Sequence, residues 1–75
     1  MNEYLIIFHL VTGRDVVAHM SADINLEDEK VQKHIVNELV KDPFNYVFEN
    51  GKLEIVNMDN VASITVAKAE EEVMG

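Results

Sequence analysis

Apolar positions along this chain recur at two spacings, every second residue and every third or fourth, and the switch between them marks out its elements. The first run, Tyr4–Val11, places Tyr4, Ile6, Phe8 and Leu10 on one face and Leu5, Ile7 and Val11 on the other, with only His9 interrupting. A strand with two apolar faces is expected to be covered on both sides, by a barrel wall or a helix. A second run, Val16–Met20, follows the glycine turn Thr12-Gly13-Arg14-Asp15, so the two form an antiparallel hairpin.

After a short connection, Ser21–Ile24, the period becomes helical. Asn25 is a good N-cap, and Glu27, Asp28 and Glu29 suit the positive end of a helix dipole. Val31, Ile35 and Leu39, flanked by Val36 and Val40, form the apolar stripe, while Lys30, His34, Asn37 and Lys41 occupy the opposite face. Glu29 and Lys33 stand at i,i+4 spacing, and Asp42-Pro43 stops the helix.

Alternation then returns. Phe44, Tyr46 and Phe48 share one face of a third strand, Phe44–Glu49, and Asn45, Val47 and Glu49 share the other. The aromatic row is expected to fill the core beneath the helix stripe, with the Tyr46 hydroxyl best placed to reach an edge. Asn50-Gly51 signals a tight hairpin, because both residues tolerate positive φ. The fourth strand, Lys52–Asn57, is expected to turn Leu53 and Ile55 inward. Met58-Asp59-Asn60 is a polar turn, and Val61–Ala67 is a fifth strand with Ile64 and Val66 in the core.

The expected class is α+β: a five-stranded antiparallel SH3-like barrel or half-barrel, ordered β-β-α-β-β-β, with one helix inserted after strand two. An open sheet with the helix on one face is the second architecture. Residues 1–67 are expected to form one compact domain and residues 68–75 an acidic tail.

At 75 residues the chain has interior enough for one core only, and it has no cysteine to supply disulfides or thiolate metal sites. Self-association is then the compensation most available to it. Fourteen acidic residues against six Lys and Arg set the formal charge at −8, which disfavours duplex DNA. The opening apolar run is preceded by Glu3 rather than basic residues and is far shorter than the ~20 residues that span a bilayer. A cytoplasmic chain without a membrane partner is expected.

Two segments resemble those of the Sm-like RNA-binding proteins. Leu10-Val11-Thr12-Gly13-Arg14-Asp15-Val16 is similar to the strand, polar-Gly-basic turn and strand of the first Sm motif. Asp59-Asn60-Val61-Ala62-Ser63-Ile64 is similar to the end of the second. The resemblance implies a small SH3-like barrel and, as an alternative function, RNA binding by an oligomeric ring. Such a ring would assemble a positive pore from Arg14, Lys52 or Lys68. The helix follows strand two here, where that family places it before strand one. Asn57-Met58 stands where the family has a basic-Gly pair.

No segment has the spacing of a catalytic or metal motif, so no enzyme, cofactor or metal is expected. His9 and His19 would share a face if a three-residue loop paired Val11 with Asp15. A four-residue loop, pairing Val11 with Val16, would put them on opposite faces. Glu27, Asp28 and Glu29 lack the oxygen spacing of a calcium loop, and Glu70–Glu72 belong to the tail. The hydroxyls of Ser21, Ser63, Thr12 and Thr65 sit beside no patterned base. What is expected is an uncharacterised non-enzymatic module for protein–protein contact, chiefly with itself. Arg14, Tyr46, Lys52 and Lys68 are the candidate interaction residues, and the edges of strands one and five are candidate pairing surfaces.

Overall fold

A computed structural model describes residues 2–22 and 28–68. Its elements are β1 (Asn2–Leu10), β2 (Asp15–Ala22), α1 (Asp28–Leu39), β3 (Phe44–Glu49), β4 (Lys52–Asn57), a 3-10 turn (Met58–Asn60) and β5 (Val61–Lys68). The class is α+β, but the strands form two sheets, β2-β1-β5 and β3-β4, and these do not close into a barrel. The proposed helix cap at Asn25 and the acidic tail beyond Lys68 lie outside the described residues.

The first hairpin closes through a three-residue loop, Val11-Thr12-Gly13. Leu10 N–H donates to Arg14 O at 2.9 Å, and Gly13 N–H donates to Leu10 O at 2.9 Å. Gly13 ends the loop at φ 95°, where a side chain would be strained, and β2 begins at Asp15, before the expected Val16. Val11 is therefore an exposed turn residue and not part of β1. β1 is also the central strand, paired on both sides, so the edge once expected there is at β2 and β5. Along the β1–β5 seam the register shifts between His9 and Leu10, and Val11 N–H extends the pairing to Asn60 O at 2.8 Å.

The inner face of this sheet and the helix stripe make most of the core. Tyr4, Ile6, Phe8 and Val16 are buried against Val31 and Ile35, with Leu39, Ile64 and Val66 packed at the margin. Val40 lies off that stripe and is exposed. Val40 N–H still donates to Val36 O at 3.0 Å, and the helical path ends before Pro43, as its ring requires. Among the described residues Lys41 Nζ, just past the helix, pairs with Glu38 at 3.0 Å, whereas Glu29 and Lys33 form no ion pair.

The second sheet is a two-residue hairpin with Glu49 opposite Lys52. Asn50 (φ 55°) and Gly51 (φ 76°) both adopt the left-handed conformation a type I′ turn needs. This hairpin sends only Val47 and Val56 into the core. No ladder joins β3 to β2, because the two strands meet through a side chain: Glu49 Oε2 accepts the backbone N–H of His19 at 3.2 Å. A side-chain carboxylate, not a strand carbonyl, thus takes this N–H, and the single sheet expected from the sequence becomes two.

Candidate functional site

The β3–β4 hairpin is amphipathic, and it is turned the opposite way from expectation. Phe44, Tyr46, Phe48, Leu53 and Ile55 are 46%, 69%, 69%, 60% and 56% exposed, so the aromatic row lies outside the core. Tyr46 pairs with Ile55 and Phe48 with Leu53, while Phe44 pairs with Asn57. None of these six residues is charged, and together they make one continuous face, with the Asp42 carboxylate at its base. A hollow of about 410 Å³, lined by Asp42, Pro43, Phe44, Asn45 and Tyr46, indents its base.

The polar residues on the hairpin's other face explain the orientation. Asn45 Nδ2 donates to Leu39 O at 3.1 Å, satisfying a carbonyl left open at the helix C-terminus. Glu49 takes the His19 backbone N–H and also the ring Nδ1 at 3.2 Å. Arg14, from the first turn, reaches Glu54 at 2.7 Å and 2.8 Å. The hairpin is thus fastened to the rest of the chain by three polar contacts and two valines. Its largest apolar side chains face solvent.

The four candidate interaction residues do not converge. Tyr46 is the centre of the apolar face, and Arg14 is committed to Glu54 behind it. Lys52 is exposed beside the Asn50-Gly51 turn. Lys68 pairs with Tyr4 at one end of the three-stranded sheet, whereas Arg14 lies past the other end. Six residues of strand separate those ends, roughly 20 Å.

On the outer face of that sheet the fold makes a contact that the sequence did not disclose. His9 Nδ1 lies 3.0 Å from Asp15 Oδ1, and His9 Nε2 lies 2.8 Å from Thr65 Oγ1. A carboxylate only accepts, so Nδ1 carries the proton and, in the neutral ring, Nε2 accepts from the threonine hydroxyl. Carboxylate, imidazole and hydroxyl stand in the order of a nucleophilic triad. Acyl transfer also needs donors aimed at the developing oxyanion. Here the ladder N–H groups lie in the plane of the sheet, bonded to neighbouring strands. The trio ties β2, β1 and β5 together across an open surface. His9 and His19 share this face, since His9 pairs with Asp15 and His19 with Leu5. Four residues of strand separate them, roughly 13 Å, which is too far for a shared ion. Among the described residues no group of three or more His, Asp or Glu is placed to hold a metal, and no helix is long and apolar enough to cross a membrane.

A second apolar surface is the groove between α1 and β5, about 420 Å³, lined by Val36, Val40, Met58, Val61 and Ile64. The chain matches no protein-family model, no curated protein and no solved structure.

Proposed function

We propose that this chain is a non-enzymatic cytoplasmic module that acts by protein–protein contact, principally with copies of itself. The observation that carries the reading is the uncharged face of Phe44, Tyr46, Phe48, Leu53 and Ile55 left in solvent. With average side chains near ~180 Å², their exposures amount to about 550 Å², the upper range for one contiguous patch on a monomer and one that marks interaction surfaces. Sedimentation equilibrium tests it: a mass rising above 8.5 kDa at tens of micromolar is expected, and 8.5 kDa throughout contradicts it.

An SH3-like half-barrel is the finer architecture we propose. Its support is the strand order β5-β1-β2 with the β3–β4 hairpin tied to β2 through Glu49 and His19.

One observation favours a second reading, a Sm-like RNA-binding ring. Three exposed aromatics at alternate positions resemble a base-stacking platform. Against it stands the absence of any basic residue on that face, and the pairing of Arg14 with Glu54. Fluorescence anisotropy with short A-rich and U-rich RNAs at low salt separates the two. Binding that weakens with salt and is lost in Tyr46→Ala would move the function to RNA.

A further inference from the structure

Resting on the self-association reading, we infer that a second copy docks face to face on the β3–β4 hairpin, aromatic column over aliphatic column. The two-fold axis runs along the strands, between β3 and β4. Three observations fix the occupant and its orientation.

The first is charge. At −8 two copies repel, and they approach at least cost where no carboxylate is brought against another. The outer face of the three-stranded sheet carries Glu3 and Asp15, and the exposed side of α1 and the turn after it mix Glu29 and Glu38 with Lys30, Lys33 and Lys41, so that docking there would desolvate charges of both signs. The hairpin face carries Phe44, Tyr46, Phe48, Leu53, Ile55 and Asn57, all neutral; its glutamates are held on the reverse side by His19 and Arg14, and the one carboxylate near it, Asp42, lies at its base, at the rim of the docked pair.

The second is area. About 550 Å² of each copy's surface, covered in full, gives roughly 1,100 Å² in all, over the ~1,000 Å² floor for a biological interface and short of the ~1,200 Å² at which the stable ones begin. The third is shape. β3 presents the large column Phe44, Tyr46, Phe48, and β4 presents the smaller column Asn57, Ile55, Leu53. Facing positions fill space best when large meets small. An axis along the strands does this at every rung: Phe48 rests on Leu53 of the second copy, Tyr46 on Ile55, and Phe44 on Asn57. Asn57 tolerates that position because its side-chain oxygen already accepts Asp59 N–H at 2.9 Å within its own turn. Packed sheets stand about 10 Å apart, the separation these side chains fill.

Sedimentation of the wild type, Phe48→Asp and Ile55→Lys tests the surface, with circular dichroism confirming that each variant is folded. Both positions are exposed, so folding should be unaffected, while the dissociation constant should rise at least about a hundredfold. The chain has no cysteine, so mixing Tyr46→Cys with Ile55→Cys under mild oxidation maps the axis. Mixed disulfide in excess of both symmetric ones is the expected product. Folded variants that associate as tightly as wild type overturn the docking surface but leave self-association standing. Symmetric Tyr46→Cys disulfides in excess overturn the large-over-small arrangement. A wild type that remains at 8.5 kDa overturns the inference and the reading beneath it together.

Discussion

Phenylalanine-to-alanine replacement at two positions, Phe8 and Phe48, separates this fold from one in which the hairpin aromatics are core. The chemistry removed is identical, and only the surroundings differ: Phe8 is 1% exposed and Phe48 is 69% exposed. Phe8 is central in β1, between Val16 of β2 and Ile64 of β5. Emptying its site loses the transfer free energy and leaves a cavity walled by three strands and the helix, at a cost of about 3–5 kcal/mol. A domain of this size is stable by only ~4–11 kcal/mol, so Phe8→Ala should lose a large share of its stability. With a urea slope of about 1 kcal/mol/M, its midpoint should fall by roughly 3 M or more. Phe48→Ala removes a ring that already faces water, and its midpoint should move by no more than ~0.5 kcal/mol equivalent. Both are measured by urea denaturation at concentrations where the chain sediments as a monomer. Equal losses at the two positions would refute the reasoning, because they would put Phe48 in a cavity of its own.

Three further outcomes follow from particular contacts. Asn45→Ala should cost about 1 kcal/mol in the same assay, since it removes a partly buried bond to the Leu39 carbonyl; no change would show that water replaces the amide freely. The hydrogen bond and charge of Lys41 hold the Glu38 carboxyl below the usual glutamate range. A depressed folded value means this pair contributes stability above the unfolded pKa and loses it as pH falls through the folded one. Lys41→Met should therefore raise the Glu38 midpoint in a carboxyl-carbon NMR titration, and an unmoved midpoint contradicts the pairing. Self-association should strengthen with added salt, because the six residues of the proposed docking face are uncharged and the repulsion being screened is that of the whole chain. Weakening with salt would point instead to ion pairs across the interface.

Turn chemistry and the ends of β3 and β4 were legible before the structure. Asn50-Gly51 takes the positive φ values its residues favour, and Val31 and Ile35 are buried as the helical spacing requires. The side of the hairpin that faces the body was not legible. Alternation tells which residues share a face, and Phe44, Tyr46 and Phe48 do share one with Leu53 and Ile55. It does not tell which face is inside, and hydrophobicity alone points to the aromatic one. The side is set by Asn45 on Leu39, Glu49 on His19 and Glu54 on Arg14. Two of these span 30 and 40 residues of sequence, so local pattern holds no trace of them. The same limit hid Thr65 from His9, which lie 56 residues apart. At the first turn the sequence left two loop lengths open: Gly13 closes a three-residue loop, and that choice alone puts His9 and His19 on one face.

The central claim is that the aromatic side of the β3–β4 hairpin meets solvent in the single chain and is covered only by another molecule. A soluble paramagnetic agent, read at the methyl groups of Leu53 and Ile55 against those of Ile6 and Ile35, measures this directly. Where the chain sediments at 8.5 kDa, Leu53 and Ile55 should relax fast and Ile6 and Ile35 slowly, with the first pair becoming protected as concentration rises. Protection of Leu53 and Ile55 equal to that of Ile6 in the monomer would contradict the account.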